Sequence, residues 1–455
     1  MKKLLLTTAS ALAFLAAPAM AQDNTSTVTQ GGEGNHATIG QTGSNGKSTV
    51  DQSNAYVANS IVNQKGDGAE SEITQTGNSN HAVVNQDGDS YSKITQTGVF
   101  NNGASVDQKG GAGNSSTVAQ TGDNNEVSVS PGPVPNAGVI QIGSNNTSSI
   151  GQSGSSQLAN AFQTGSNNNS DISQSGLNHD AFVTQQGSDN KSSVLQSGAN
   201  NQAIVDQSGT NLDSSIIQDG TAAYANVRQT GVNSESDVTQ HAGSRADVTQ
   251  LDGPNKSTVT QNGGAAGANA LVYQDSSPNG GALNTVTITQ NANSSARAFQ
   301  IGTNQTATIT QDGQSLPPQQ LPASYAANIE QISGTGGGNV ATINQPGAEN
   351  TAGIFQYGNN SRATTTQTGA ALAGDTVNNF ARVTQDVLSS NAQSDILQDG
   401  QNNTALVSQN GTDLTSDIVQ SGADNTASVT QTGLGQISTV NQSGTGNTAT
   451  VTQGS

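Results

Sequence analysis

Aspartate residues are the first candidates for acid–base chemistry in this sequence. They recur three positions before a Gln at Asp171, Asp237, Asp247, Asp395 and Asp417. Paired carboxylates can hydrolyse glycosidic bonds when they lie close together beside a substrate platform. Here the acids form no compact group with His, Arg or aromatic residues, and we predict that the protein is not an enzyme. Charge at these positions would instead oppose uncontrolled association of strands.

Histidine could bind metal, but the four His residues are poorly placed for it. His36 and His81 are expected to share an outward column two repeats apart, roughly 10 Å at the spacing of stacked strands. His179 and His241 have no evident partner in the sequence. We therefore predict solvated surface positions for these side chains, and neither a metal site nor another cofactor.

Glutamine has the strictest spacing in the chain, and its amide can donate and accept hydrogen bonds. From Gln141 to Gln240 a Gln recurs every eleven residues, and 36 Gln keep this phase along the sequence. Val or Ile stands two residues before most of these Gln, Ala or Ser four before, Asn often six before, and Gly two after. One further unit, from Asn125 to Pro131, has Pro where Gln belongs.

A spacing of two residues places the Asn, Ala or Ser, Val or Ile, and Gln of each unit on one face of a β-strand. The Gly after each Gln favours a turn. Ser and Ala tend to alternate between successive units, as in Ser170 and Ala181, so the repeat is about 22 residues long. The sequence thus predicts an all-β fold, a β-solenoid or cross-β stack of about 18 two-strand turns. Identical amides would stack along its axis as ladders.

The N-terminus has the features of a secretory signal. Lys2 and Lys3 precede an apolar stretch, and Ala19-Met20-Ala21 is a cleavage motif that places the cut between Ala21 and Gln22. We predict a signal peptide at 1–21, one repeat array at 22–455, and export from a bacterium through the periplasm. No later segment is apolar enough to insert into a membrane. Without the two signal lysines, 11 basic and 32 acidic residues leave a charge of −21, which opposes binding to nucleic acid.

Several segments interrupt the rhythm, at 130–135, 275–284, 314–324, 332–339 and 370–378. Insertions of this kind usually bulge from the turns of a repeat stack. Pro317, Pro318 and Pro322 make 314–324 the best candidate for a flexible loop.

The repeats extend to both ends of the predicted mature chain, so we expect its end strands to accept another molecule. The amides expected to act there are Gln30, Asn35 and Gln41 at one end and Asn425, Gln431, Gln442, Asn447 and Gln453 at the other. The expected product is a cross-β homopolymer. Leu in place of Gln442 and Gln453 should then slow growth more than Gln108→Leu, because Pro131 is the expected ladder partner of Gln108.

The unit resembles the curlin repeat, Ser-x5-Gln-x-Gly-x2-Asn-x-Ala-x3-Gln. Its second half is literal in Gln420-Ser-Gly422-Ala-Asp-Asn425-Thr-Ala427-Ser-Val-Thr-Gln431. The resemblance covers nearly all of 26–453, although Ser mostly stands four residues before Gln here and six before in the family motif. It implies a subunit of an extracellular functional amyloid, the curli fibre of the biofilm matrix, active in surface adhesion and cell aggregation. A nucleator subunit and an outer-membrane secretion channel are the implied partners.

Alternatives stay open at this point. The chain could be a fibre nucleator or a monomeric secreted β-solenoid adhesin, since insertions often carry binding. Outward Thr pairs such as Thr258 and Thr260 are typical of ice-binding surfaces. Because Glu72, Lys93 and Asp171 break the Thr columns, the simpler explanation is that Thr favours strands.

Overall fold

The computed structural model describes residues 23–98, 100–127, 138–241, 243–262, 267–276, 282–313, 326–333, 337–369 and 379–454. These residues form 37 β-strands, β1 to β37, and no helix. Strands pair in parallel with the strand two positions along the chain, except near β10 and β11, where β8 also pairs with β11 and β9 pairs with β12. The chain therefore coils through two facing sheets. The predicted β-solenoid is confirmed.

Sheet 1 contains one strand from each turn of the coil. Its 18 strands are β1 (Thr25–Gln30), β3 (Lys47–Tyr56), β5 (Glu70–Asn78), β7 (Ser90–Gly98), β9 (Asn114–Asp123), β12 (Thr147–Ser155), β14 (Asn169–Leu177), β16 (Lys191–Ala199), β18 (Asp213–Thr221), β20 (Glu235–His241), β22 (Asn255–Gln261), β24 (Asn284–Gln290), β26 (Thr306–Gln311), β28 (Val340–Gln345), β30 (Arg362–Gln367), β32 (Gln393–Gln401), β34 (Thr415–Ala423) and β36 (Ile437–Thr445).

Sheet 2 contains the other strand of each turn. Its members are β2 (His36–Thr42), β4 (Asn59–Lys65), β6 (His81–Asp87), β8 (Gly103–Lys109), β10 (Glu126–Val127), β11 (Val139–Ser144), β13 (Leu158–Ser166), β15 (Asp180–Ser188), β17 (Gln202–Thr210), β19 (Tyr224–Val232), β21 (Arg245–Leu251), β23 (Asn269–Asp275), β25 (Ser295–Ile301), β27 (Ala327–Ile332), β29 (Thr351–Gln356), β31 (Phe380–Gln385), β33 (Thr404–Thr412), β35 (Thr426–Leu434) and β37 (Thr448–Gln453).

The core lies between the two sheets and consists of like residues stacked in register. In β14, for example, Ser170, Ile172 and Gln174 are buried, and they pair with Ser192, Val194 and Gln196 of β16. Sheet 1 contributes mostly Ser and sheet 2 mostly Ala at the position four residues before Gln, as Ala181 and Ala203 show. The inward set and the 22-residue unit predicted from the sequence are thereby confirmed.

The unit expected from Asn125 to Pro131 is not a separate strand, and that prediction is wrong. The short strand β10 and the strand β11 both pair with β8 on one side and with β13 on the other. Together they form one rung of sheet 2, with Val127, Val139 and Gln141 pointing inward. Val127 pairs with Ala104 of β8, and Val139 pairs with Val106 of the same strand, so the Gln of this rung is Gln141.

The turns repeat as regularly as the strands. Gly187 has φ of 109° and Asp189 has φ of 58°, both in the left-handed region that Gly, Asn and Asp adopt most readily. A Cβ on Gly187 would lie 2.0 Å from the carbonyl oxygen of Gly209 one rung along. Gly is required there because the backbones of stacked turns approach each other closely. The predicted signal peptide at 1–21 and the predicted loop at 314–324 lie outside the described residues.

Candidate functional site

Two uninterrupted ladders of Gln amides run through the core, one in each sheet. The ladder of sheet 1 runs from Gln30 to Gln442, and the ladder of sheet 2 runs from Gln41 to Gln453. In every step the Nε2 of one Gln donates to the Oε1 of the next Gln toward the C-terminus, at 2.7 to 3.0 Å. Because all the bonds point one way, the ladders have an acceptor end at the first rung and a donor end at the last.

Each ladder amide also binds the opposite sheet. Gln185 accepts from Gln163 at 2.8 Å, donates to Gln207 at 2.9 Å, and donates its second N–H to the carbonyl of Asn169 at 2.9 Å. Asn169 begins a strand of sheet 1, so this bond joins the two sheets across the core. The amide is fully buried, and its hydrogen bonds offset the cost of removing it from water.

Asparagine residues that precede the strands form hydrogen bonds with backbone groups of the turns. The Oδ1 of Asn403 accepts the backbone N–H of Asn425 at 3.2 Å, and the Nδ2 of Asn425 donates to Gly444 O at 3.0 Å. Asn425 and Asn447 repeat this arrangement one rung later. These Asn columns are broken at several rungs, for instance by Leu212 and Ala223, whereas the Gln ladders are not.

Gln108 lies inside an intact ladder, which overturns the expectation that Pro131 breaks it. Gln86 donates to Gln108 at 2.9 Å, and Gln108 donates to Gln141 at 2.7 Å. The eleven-residue count fails here because the segment between Val127 and Gly138 is an insertion within one rung.

The family comparison matches this geometry. The model of the curlin associated repeat matches the chain six times, at 21–53, 154–187, 187–220, 336–369, 393–422 and 422–454. The chain therefore contains curlin-associated repeats in these segments. No curated protein matches the sequence. The curlin repeat and the β-solenoid are structural rather than enzymatic features. The outward Asp residues lie on sheet faces, with Asp395 and Asp417 on neighbouring strands. Asp247 differs from the prediction that these acids have no Arg or aromatic residue nearby, because it accepts from Arg245 at 2.7 Å and Arg245 lies over the Tyr224 ring.

Two His residues of the chain differ from prediction. His179 is fully buried, because it lies six residues before Gln185 and takes an Asn position in the turn column. Its Nε2 donates to Ser175 O at 3.0 Å and its Nδ1 accepts from Asn201 N at 3.3 Å, so the ring is neutral. Burial lowers the pKa of His179. His241 has a partner as well, since its Nδ1 contacts Asp219 Oδ1.

The other two His residues lie as predicted. His36 and His81 are exposed and share one column of sheet 2, with Asn59 between them. Among the described residues, no group of three His, Asp or Glu converges on one point. No helix long and apolar enough to cross a membrane occurs in that part of the chain either.

The end residues predicted from the sequence fall on the first and last rungs of the coil or next to them. We call β1 with β2 the first rung and β36 with β37 the last rung. Gln30, Asn35 and Gln41 belong to the first rung and its turn, and Gln442, Asn447 and Gln453 to the last rung and its turn. All six are more exposed than the equivalent interior residues, although Gln442 is still mostly buried. Asn425 and Gln431 lie one rung further in and are buried. Ala21 and Gln22 lie outside the described residues.

Sequence reasoning missed two amides at these rungs. Asn24 and Gln436 occupy the turn position before β1 and β36, six residues before Gln30 and Gln442. Asn24 already binds the second rung, through Gly46 N at 2.7 Å and Gly43 O at 3.1 Å. The Oε1 of Gln436 is buried and has no hydrogen-bond partner among the described residues. The same six-residue offset that identified Asn35 would have found both.

Proposed function

We propose that this chain is the structural subunit of an extracellular, curli-type amyloid fibre that acts in surface adhesion, cell aggregation and the biofilm matrix. Copies add end to end, so that the last rung of one molecule pairs with the first rung of the next. The observation that carries this proposal is the pair of unbroken Gln ladders, whose two ends are complementary.

The end rungs expose groups that the interior rungs bury. Val28 in the first rung is 46% exposed, whereas Val50 directly beside it is 0% exposed. Because Val28 is already about half covered, burying the rest of it stabilises an assembly by about 1 kcal/mol. The strands at these rungs also present one edge each without a partner among the described residues, and such edges are templates for further pairing.

The polar groups of the two ends match when a second copy continues the coil in register. The Nε2 groups of Gln442 and Gln453 would donate to Gln30 and Gln41 of the next copy, as every interior Gln does. A reversed copy would place acceptor against acceptor at the first rung, or donor against donor at the last rung. The fibre is therefore polar, with all subunits in one direction.

The sequence features of the first 22 residues support export, and the lack of Cys is compatible with a fibre that needs no disulfides. The partners that we propose are other copies of the chain, a nucleator subunit and an outer-membrane secretion channel. If this chain is instead the nucleator subunit, a small amount of it should shorten the lag before another fibre subunit assembles.

A monomeric secreted adhesin is the second candidate, and an aromatic cluster on the outer face of sheet 2 favours it. The rings of Tyr273 and Phe299 stack at 4.7 Å, and Arg297 lies 4.9 Å from the Phe299 ring. Tyr357 donates to Glu330 at 3.0 Å, and burial together with this bond raises the pKa of Tyr357 to about 12. Such a side surface could bind a ligand without any use of the ends.

Seeded growth of the purified mature chain tests the proposal. We expect a concentration-dependent rise in β-structure that preformed fibres accelerate, and a diffraction reflection along the fibre axis at about 4.8 Å. The double substitution Gln442→Leu and Gln453→Leu should slow elongation, whereas the outward Gln186→Leu should not. A chain that stays monomeric for days at high micromolar concentration would refute the fibre and support the adhesin. Equal growth of the two variants would refute end-to-end templating.

A further inference from the structure

A regular array of Thr side chains covers part of the outer face of sheet 1. It lies on five consecutive strands, β22, β24, β26, β28 and β30, at the two outward positions that are three residues and one residue before the ladder Gln. Nine of these ten positions are Thr and the tenth is Asn344. The nine are Thr258, Thr260, Thr287, Thr289, Thr308, Thr310, Thr342, Thr364 and Thr366.

Strand propensity alone does not account for this array. At the equivalent positions of the other 13 strands of sheet 1, only eight of 26 residues are Thr. On the opposite face of the same five rungs, in β23, β25, β27, β29 and β31, Thr384 is the one Thr among ten. The enrichment in Thr is therefore confined to the outer face of sheet 1 between β22 and β30.

The five strands pair without any register shift, so the Thr residues form two straight columns. Their spacing is about 4.8 Å along the columns and about 6.7 Å across them. The array carries no charge, and Asp237 and Asp395 lie at its two borders. Within the described part of the chain, none of the nine hydroxyls has a hydrogen-bond partner.

We infer that this Thr array binds the surface of ice. Each Thr offers a methyl group, which disfavours disordered water, and a hydroxyl that holds one water in a fixed place. Because the strand repeat is close to the spacing of oxygen atoms along one axis of hexagonal ice, the bound waters continue the crystal lattice. This activity is separate from the fibre-forming ends and does not depend on the proposed function.

Ice fits the array better than a second copy of the chain does. The columns cover only about 200 Å² at the spacing of stacked strands, whereas a stable protein interface buries roughly 800 Å² on each partner. A crystal face, by contrast, presents the same repeat without side chains that must be ordered on binding. The strong negative charge elsewhere on the chain also opposes side-by-side pairing of copies.

The test compares two substitutions of the same type in the purified mature chain. Thr308→Lys places a long charged side chain at the centre of the array, and Thr384→Lys places it on the other face of a nearby rung. Ice recrystallisation and the uptake of the chain into growing ice are measured for each variant and for the original chain. The β-structure of each variant is measured in parallel by circular dichroism to show that both variants fold.

We expect the original chain and Thr384→Lys to inhibit recrystallisation and to enter the ice. Thr308→Lys should need about tenfold more protein for the same inhibition, equivalent to a loss of about 1.4 kcal/mol of binding free energy. Absence of both activities in the original chain would overturn the inference, and so would an equal effect of the two substitutions. If Thr308→Lys changes only the side-by-side bundling of fibres, the face binds a second copy instead and the inference is wrong.

Discussion

Replacing Gln185 by Leu should destabilise the coil locally, although Leu is more hydrophobic and of similar size. Gln185 is fully buried and makes three hydrogen bonds, to Gln163, Gln207 and the carbonyl of Asn169. Leu would leave an N–H of Gln163 and the Oε1 of Gln207 unpaired in the core, and it would remove one bond from Asn169.

The expected cost follows from these orphaned groups. A buried donor or acceptor without a partner costs about 1–3 kcal/mol, so the two orphaned groups in the core should together lower the free energy of unfolding around this rung by about 2–6 kcal/mol. The loss should concentrate near β13, β15 and β17, because each rung of a repeat stack contacts mainly its neighbours. Hydrogen exchange of the backbone amides, followed strand by strand, measures it.

Gln186→Leu is the matched control, since Gln186 is the next residue in the same strand but is exposed. A substitution at such a surface position usually changes the free energy of unfolding by less than about 0.5 kcal/mol. If the two variants show the same exchange rates in β13, β15 and β17, the ladder contributes no stability of its own and apolar packing holds the core.

Three further outcomes are expected. Gln108→Leu should cost as much as Gln185→Leu, because Gln86 and Gln141 bind it in an intact ladder; a clearly smaller loss in hydrogen exchange would mean that the rung formed by β10 and β11 is loosely held. Gly187→Ala should destabilise its turn by about 2–5 kcal/mol, because of the positive φ and the contact with Gly209 O. Gly151→Ala should not destabilise the chain, because its Cβ would meet no atom within 4 Å. Similar urea midpoints for the two variants would contradict the stacked-turn geometry. Burial lowers the pKa of His179 in the folded chain. Below about pH 6.5 the unfolded chain therefore takes up a proton at this His while the folded chain keeps it neutral. The free energy of unfolding should fall as the pH decreases from there. His179→Asn should remove this part of the pH dependence in urea titrations, and an unchanged profile would show that His179 is not the group responsible.

The sequence by itself determined the inward residues and the length of the repeat. A period of two residues can only be satisfied by a strand with one buried face, so Ser170, Ile172 and Gln174 could be assigned to the core before any fold was known. The alternation of Ser and Ala also predicted the two facing sheets, because each sheet stacks like on like. His179 follows the same rule, because its place six residues before Gln185, and not its residue type, puts it in the core.

Only the tertiary structure decided which strands are neighbours where the spacing is irregular. An insertion can fall between two rungs or, as after Val127, within one rung, and sequence distance does not distinguish the two cases. The Thr array shows the same limit, since Thr289 and Thr310 are 21 residues apart while Thr310 and Asn344 are 34 apart, yet both pairs are adjacent in sheet 1. Hydrogen bonding between backbones fixes that adjacency. The segment between two strands need only be long enough to return the chain to the next rung.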